Sequence, residues 1–270
     1  MGGGRRYEAY LAWDDDLYSL VAVKIVRPDR VADEGSLRGL RGEVDILGHL
    51  SHPSIVRAFG AVLDGPRPHV VLEFLDGPRL STLIRRRGLA PEQLLPLGIG
   101  MCSALHYMAV RGVLHLDLKP RNIVMAGPPR LIDLSVARRV DQVPGITSPI
   151  GTDAYMAPEQ CVPERFSEIG PPADVWGLGI SLYEALAGRH PFAEARRRGV
   201  RHPQLEGAPA PLAARRRVPL LLADAVMSCM APDPAARPAA AELARTLGPL
   251  VDAPPRRWLG TFRPGGRRSR

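Results

Sequence analysis

A chain of 270 residues with 45% apolar and 24% charged side chains can build one large domain or two lobes sharing a cleft. Its three cysteines, Cys102, Cys161 and Cys229, form no C-x-x-C pair, which argues against a disulfide framework or a zinc site and suits a reducing cytosol. The net charge of +8 comes from arginines spread over both halves, a solvated surface rather than a nucleic-acid stripe, so no nucleic-acid partner is expected.

Met1 to Asp16 has no apolar h-region and soon reaches Asp14-Asp15-Asp16, so a secretory signal is not expected. Residues 7–26 alternate as strands do, with Tyr10, Leu11 and Trp13, then Leu20 to Val26, around that Asp-rich turn. Residues 34–50 are predicted to be a helix, because Leu37, Leu40, Val44, Leu47 and Leu50 recur at three- and four-residue steps. His52-Pro53 closes it. Two further strands are predicted over Ile55 to Leu63 and His69 to Phe74. After Asp76-Gly77-Pro78 the pattern turns helical, over about 80–87, 91–111, 173–187, 219–230 and 239–247. Between them, 126–172 is a long irregular segment rich in Gly and Pro, the kind that carries function in a compact domain.

The division expected is a β-rich lobe over 1–75, a helical lobe over 76–250 and a basic, disordered tail over 251–270. The longest apolar stretches, such as Val218 to Met230, are too short to span a bilayer and are broken by Asp224. A cytoplasmic protein with no membrane span is therefore expected. The abundance of Arg, Ala, Gly and Pro has the look of a GC-rich, bacterial genome.

Lysine stands at two positions only, Lys24 and Lys119; every other basic residue is arginine. Lys24 closes Val21-Ala22-Val23-Lys24. Lys119 lies in His115-Leu116-Asp117-Leu118-Lys119-Pro120-Arg121-Asn122. Phosphoryl transfer demands little covalent work: a triphosphate must be held, its charge neutralised by Mg²⁺, and an acceptor hydroxyl aligned near a base. A few Asp, Asn and Lys converging on one cleft suffice. Asp117, Asn122 and Asp133 have that form, with Asp133 following Gly127-Pro128-Pro129 and the strand-like Arg130-Leu131-Ile132.

Over about residues 2–248 these motifs resemble the eukaryotic-type (Hanks-type) serine/threonine protein kinases of bacteria. The resemblance implies an α+β, bilobal protein-kinase-like fold with a small β-rich N-lobe and a larger helical C-lobe. It implies ATP and Mg²⁺ as cofactors and protein Ser/Thr hydroxyls as acceptors. Lys24 matches the lysine that grips the α- and β-phosphates, and Glu43 the helix glutamate that holds that lysine. Asp117 matches the catalytic base and Lys119 the γ-phosphate contact; Asn122 and Asp133 match the Mg²⁺ ligands. Gly151-Thr152-Asp153-Ala154-Tyr155-Met156-Ala157-Pro158-Glu159 resembles the substrate-docking segment, with Thr152 hydrogen-bonding near Asp117. Asp174-Val175-Trp176-Gly177 resembles the helix that supports the catalytic loop, and Arg237 matches the ion-pair partner of Glu159. For adenine the resemblance points to Ala22, Leu72 as gatekeeper, the hinge Glu73-Phe74-Leu75, and Val124 as floor.

Three departures stand out. Gly2-Gly3-Gly4-Arg5-Arg6-Tyr7 keeps the first two glycines of the phosphate-covering G-x-G-x-x-G, Gly2 and Gly4, and has Tyr7 at the third. The chain begins inside that loop, so the first strand is expected to be missing. Leu116 replaces the arginine of H-R-D, which implies activity independent of activation-loop phosphorylation. Ser135 replaces the glycine of D-F-G and leaves the metal ligand in place. The alternatives to a protein kinase are a pseudokinase scaffold of the same fold and a small-molecule kinase; the A-P-E segment and Asp174-Val175-Trp176-Gly177 argue against the latter.

Overall fold

The structure is a computed structural model and describes residues 2–86, 88–165, 169–212 and 218–251. The basic tail after Val251 lies outside the described residues. The N-terminal part is an antiparallel sheet of β1 (Gly2–Gly3), β2 (Tyr7–Asp14) and β3 (Ser19–Val26), then, after helix α1 (Glu34–His49), β4 (Ala58–Val62) and β5 (His69–Glu73), in the order β1-β2-β3-β5-β4. The first strand, expected to be missing, is there as two residues: Gly2 pairs with Ala9 and Gly3 with Glu8. The alternation over 7–26 becomes the β2–β3 hairpin, in which Ala9 faces Lys24 and Leu11 faces Ala22.

Helix α1 starts because Asp33 caps it, its carboxylate accepting the Ser36 amide at 2.7 Å. Its buried stripe is Ser36, Leu40, Glu43, Ile46 and Leu47, steps of three and four along one face. Glu43 thus sits where the pattern asks for an apolar residue, and a carboxylate there must find a cation. The strand predicted from Ile55 begins only at Ala58. Ile55 forms a bridge with Leu131 instead, and the Val56 amide donates to Leu131 O at 3.0 Å, so this stretch joins the two lobes rather than the sheet.

The remainder is mainly helical: α2 (Leu80–Arg86), α3 (Pro91–Val110), then the short strands β6 (Val113–Leu114), β7 (Ile123–Val124), β8 (Arg130–Leu131) and β9 (Arg138–Arg139), followed by α4 (Pro158–Cys161), α5 (Pro171–Ala187), α6 (Ala193–Arg197), α7 (Leu220–Ser228) and α8 (Ala240–Val251). The segment 126–172, read as irregular, contains β8, β9, a 3₁₀ turn over Val140–Gly145 and α4. Its strands are two residues long, too short to leave an alternating pattern. Helix α3 is long and apolar enough to cross a membrane by length and composition. Here it is the central helix of the lobe, packed on α5 and α8, with Leu94, Leu97, Met101, Leu105 and Met108 buried.

One continuous core runs from Val26 and Leu40 in the sheet region to Leu243 and Leu247 in α8. Behind the connection between the lobes, the Arg130 guanidinium meets the Glu73 carboxylate at 3.1 Å and reaches Ile55 O at 3.4 Å. That contact ties the last strand of the sheet to β8.

Candidate active site

Two clusters of charge form between the lobes. In the first, Lys24 projects from β3 and its Nζ donates to Glu43 Oε2 at 2.6 Å and Asp133 Oδ1 at 2.7 Å. Burial opposes the Lys24 charge, but Glu43 and Asp133 outweigh it and raise its pKa. Burial likewise pushes against ionised Asp133, yet Lys24 and the Ser135 hydroxyl hold this carboxyl well below the usual carboxylate range. Glu43 is fully enclosed, and burial pushes its carboxyl up against the pull of Lys24. Both its oxygens accept, Oε2 from Lys24 and Oε1 from the Leu134 amide at 3.1 Å. Asp133 has a left-handed backbone at φ 66, a strained conformation for a non-glycine residue.

In the second cluster, Asp117 is the hub. Its Oδ1 accepts from the Thr152 hydroxyl at 2.6 Å, and its Oδ2 accepts from Lys119 Nζ at 2.6 Å and Asn122 Nδ2 at 3.2 Å. Lys119 Nζ also donates to Thr152 Oγ1 at 2.7 Å. The clusters are joined through the backbone: the Ile132 amide donates to Asn122 O at 2.9 Å, and His115 Nε2 lies 3.3 Å from Ile132 O. Beneath the loop, the buried Asp174 carboxylate accepts the amides of His115 at 2.8 Å and Leu116 at 2.7 Å. Two converging amides satisfy a carboxylate whose pKa burial drives up.

The structure therefore brings Lys24, Glu43 and Asp133 together, and separately Asp117, Lys119, Asn122 and Thr152. Ala22 and Leu72 are register partners on β3 and β5, and Val124 is buried on β7 of the other lobe. Leu75 follows in the connection packed on the core. The Glu73 side chain turns to Arg130, so any adenine contact at Glu73 falls to its backbone. Gly4 turns the first hairpin, its amide donating to Tyr7 O at 2.9 Å, and Gly2 lies in β1.

Asn122 spends its amide nitrogen on the Asp117 carbonyl at 3.0 Å and carboxylate at 3.2 Å, which leaves its Oδ1 for a ligand. With the Asp133 carboxylate this makes a set of hard oxygen donors, the chemistry that suits Mg²⁺. Among the described residues no cluster of three or more His, Cys, Asp or Glu could hold a metal alone. The remaining ligands of such a cation would be phosphate oxygens and water, as is usual for Mg²⁺.

Ser135, Leu116, Gln160 and Gly151 contribute in ways the motif spacing does not announce. Ser135, at the glycine position, donates its hydroxyl to Asp133 Oδ1 at 2.9 Å and helps aim it. Leu116, at the arginine position, is buried, with φ 59. Its carbonyl accepts Gln160 Nε2 at 2.8 Å, and the same nitrogen reaches Ile150 O at 2.9 Å. Neutral hydrogen bonds thus fasten the segment around Thr152 to the catalytic loop, where an arginine–phosphate pair would need a modification first. Gly151 completes the contact: at φ 116, a Cβ there would lie 2.5 Å from Leu116 O. Away from the cleft, Arg237 and Glu159 form a bidentate buried pair at 2.6 and 2.9 Å.

A family model described as the protein kinase domain matches residues 1–246. The chain is 33% identical over 202 residues to the serine/threonine-protein kinase PknB of Mycobacterium leprae, covering 71% of this chain and 32% of that protein. It is 30% identical over 226 residues to PknB of Mycobacterium tuberculosis strain H37Rv, covering 80% of this chain and 36% of the other. With the serine/threonine-protein kinase PkaA of Streptomyces coelicolor the identity is 34% over 238 residues, 84% of this chain and 42% of the relative. The matches thus span about a third to two fifths of these curated relatives.

Proposed function

Because the chain belongs to the protein kinase domain family, we propose that it transfers the γ-phosphoryl group of ATP to serine or threonine hydroxyls of proteins. The observation that supports this reading best is the Asp117 hub: a carboxylate held by Lys119, Asn122 and Thr152, tied through the Asn122–Ile132 backbone bond to the strand end that carries Asp133 and its partner Lys24. Asp117 orients the acceptor hydroxyl and takes its proton as the acceptor oxygen bonds to phosphorus. The bond from phosphorus to the β,γ-bridging oxygen breaks, and ADP leaves. Lys24, kept in place by Glu43, holds the phosphates, and Lys119 places positive charge beside the transferring group. Asn122 and Asp133 would hold Mg²⁺, which supplies neutralisation of the phosphate charge.

The serine/threonine preference draws on Thr152 and Lys119. Both contact Asp117 directly, Thr152 at Oδ1 and Lys119 at Oδ2, and they bond each other. The test is transfer of labelled γ-phosphate to a generic Ser/Thr protein in Mg²⁺ buffer. Asp117→Asn should lower the rate about 100-fold or more, since general acid–base groups contribute on that order. Wild-type protein with no transfer above Asp117→Asn would overturn the reading.

A further inference from the structure

The third glycine position of the phosphate-covering loop holds Tyr7, and the side chain is anchored rather than free. Its hydroxyl donates to Ser36 O at 2.7 Å, 29 residues along the chain and in the first turn of α1. The ammonium of Lys24 lies 4.6 Å from the centre of its ring. Residue 39 is glycine, and a Cβ there would come within 2.6 Å of the Tyr7 hydroxyl. Tyr7 also pairs with Val26 at the start of β2. Burial pushes the phenol up to about 12, so it remains a neutral donor at working pH.

We propose that Tyr7 is a positioning residue, a strut from β2 to α1 that holds the helix in place so that Glu43 stays engaged with Lys24. Its two ends act on the same pair. The hydroxyl bond fixes the first turn of the helix that carries Glu43, and the ring face attracts the ammonium that Glu43 grips. The glycine at 39 is the matching half, an opening on α1 that admits the phenol. A glycine at residue 7, as the family motif has it, would lack both contacts. Helix placement here is built into the sheet and needs no phosphate on the activation segment, in keeping with Leu116 at the arginine position.

The kinetic half of this inference rests on the kinase reading; the structural half does not, and the test separates them. Amide hydrogen exchange in α1 is measured on the whole chain alongside steady-state transfer from Mg-ATP to a generic Ser/Thr protein. Tyr7→Phe should raise exchange in the first turns of α1 about 3- to 10-fold and lower kcat by a similar factor, with KM for ATP within about twofold. Gly39→Ala should reproduce both effects. In the Tyr7→Phe background it should add little, because no hydroxyl is left to collide with. In a Glu43→Gln background Tyr7→Phe should cost almost nothing further. Unchanged α1 exchange in Tyr7→Phe would overturn the strut. An equal loss of kcat with Glu43 intact or replaced would overturn its action through the ion pair. Wild-type protein that transfers no phosphate, yet shows the exchange response, would retire the kinase reading and leave the strut standing.

Discussion

Lys24 is held by two carboxylates at 2.6 and 2.7 Å, in directions that a compact ammonium can satisfy at once. A guanidinium is planar and longer, and cannot point one nitrogen at Glu43, another at Asp133 and still meet phosphate oxygens. Lys24→Arg should therefore lower kcat/KM by at least about tenfold although the charge is kept. Near-normal turnover would show that the scarcity of lysine reflects genome composition alone. This part of the site was legible in the sequence because charged groups at fixed spacing have few other reasons to occur. Glu43 was legible as a motif residue only; the face read from the sequence, with Leu37 and Val44, left it outside, and the structure shows it in the buried stripe with Leu40 and Leu47. Tyr7 was not. Read along the chain it was a lost glycine; its meaning lies in Ser36 and Gly39, which no local spacing connects to it. Ser135 was read only as a replaced glycine that leaves the metal ligand in place, and its hydroxyl bond to Asp133 appears only once both side chains are placed.

Among the elements, the segment 151–157 forms neither helix nor strand and is held by side chains from three later points in the chain. Gln160 fastens it to Leu116, Gln204 donates to Asp153 O and Met156 O at 3.0 Å, and His190 Nε2 lies 2.8 Å from Ala154 O. His190 accepts the Phe192 amide on Nδ1 at 3.1 Å, so it must be the neutral tautomer with its proton on Nε2. Burial lowers its pKa from 6.5 to about 4. A base whose folded pKa is depressed contributes stability in full above its unfolded value and loses it as pH falls through the folded one. The thermal midpoint should therefore fall with pH between 6.5 and about 4 more steeply than in His190→Asn, which can keep an acceptor for the Phe192 amide and does not titrate. Parallel curves for the two proteins would remove His190 from the account. Element type was readable down to elements of five to seven residues, such as β5 and α2, while β6 to β9, with two residues each, leave no pattern. Ile55 and Val56 looked like strand because β-branched residues in a row do. They are buried, but against β8 of the other lobe.

At the scale of the whole molecule, the contacts that fasten the lobes include a shared core, the Lys24–Asp133 and Glu43–Leu134 bonds in the cleft, the Ile55–Leu131 bridge, and the Arg130–Glu73 pair behind their connection. The buried Arg237–Glu159 pair does a different job, pinning α4 to the turn after α7 within one lobe. The Arg130–Glu73 contact sits where the chain passes from one lobe to the other, where a spring would be put to limit how far a jaw opens. Its consequence is one of timing. If product leaves as the jaw gapes, a brace at the joint should slow each opening without touching the nucleotide. Arg130→Met should speed the release of a fluorescent ADP by about two- to fivefold, the scale of one partly exposed ion pair, with the phosphoryl-transfer step in single-turnover mixing unchanged. Release at the wild-type rate would mean that the joint bears no load. If it does bear load, the clock of this molecule is set behind its hinge, by two side chains that the chemistry never meets.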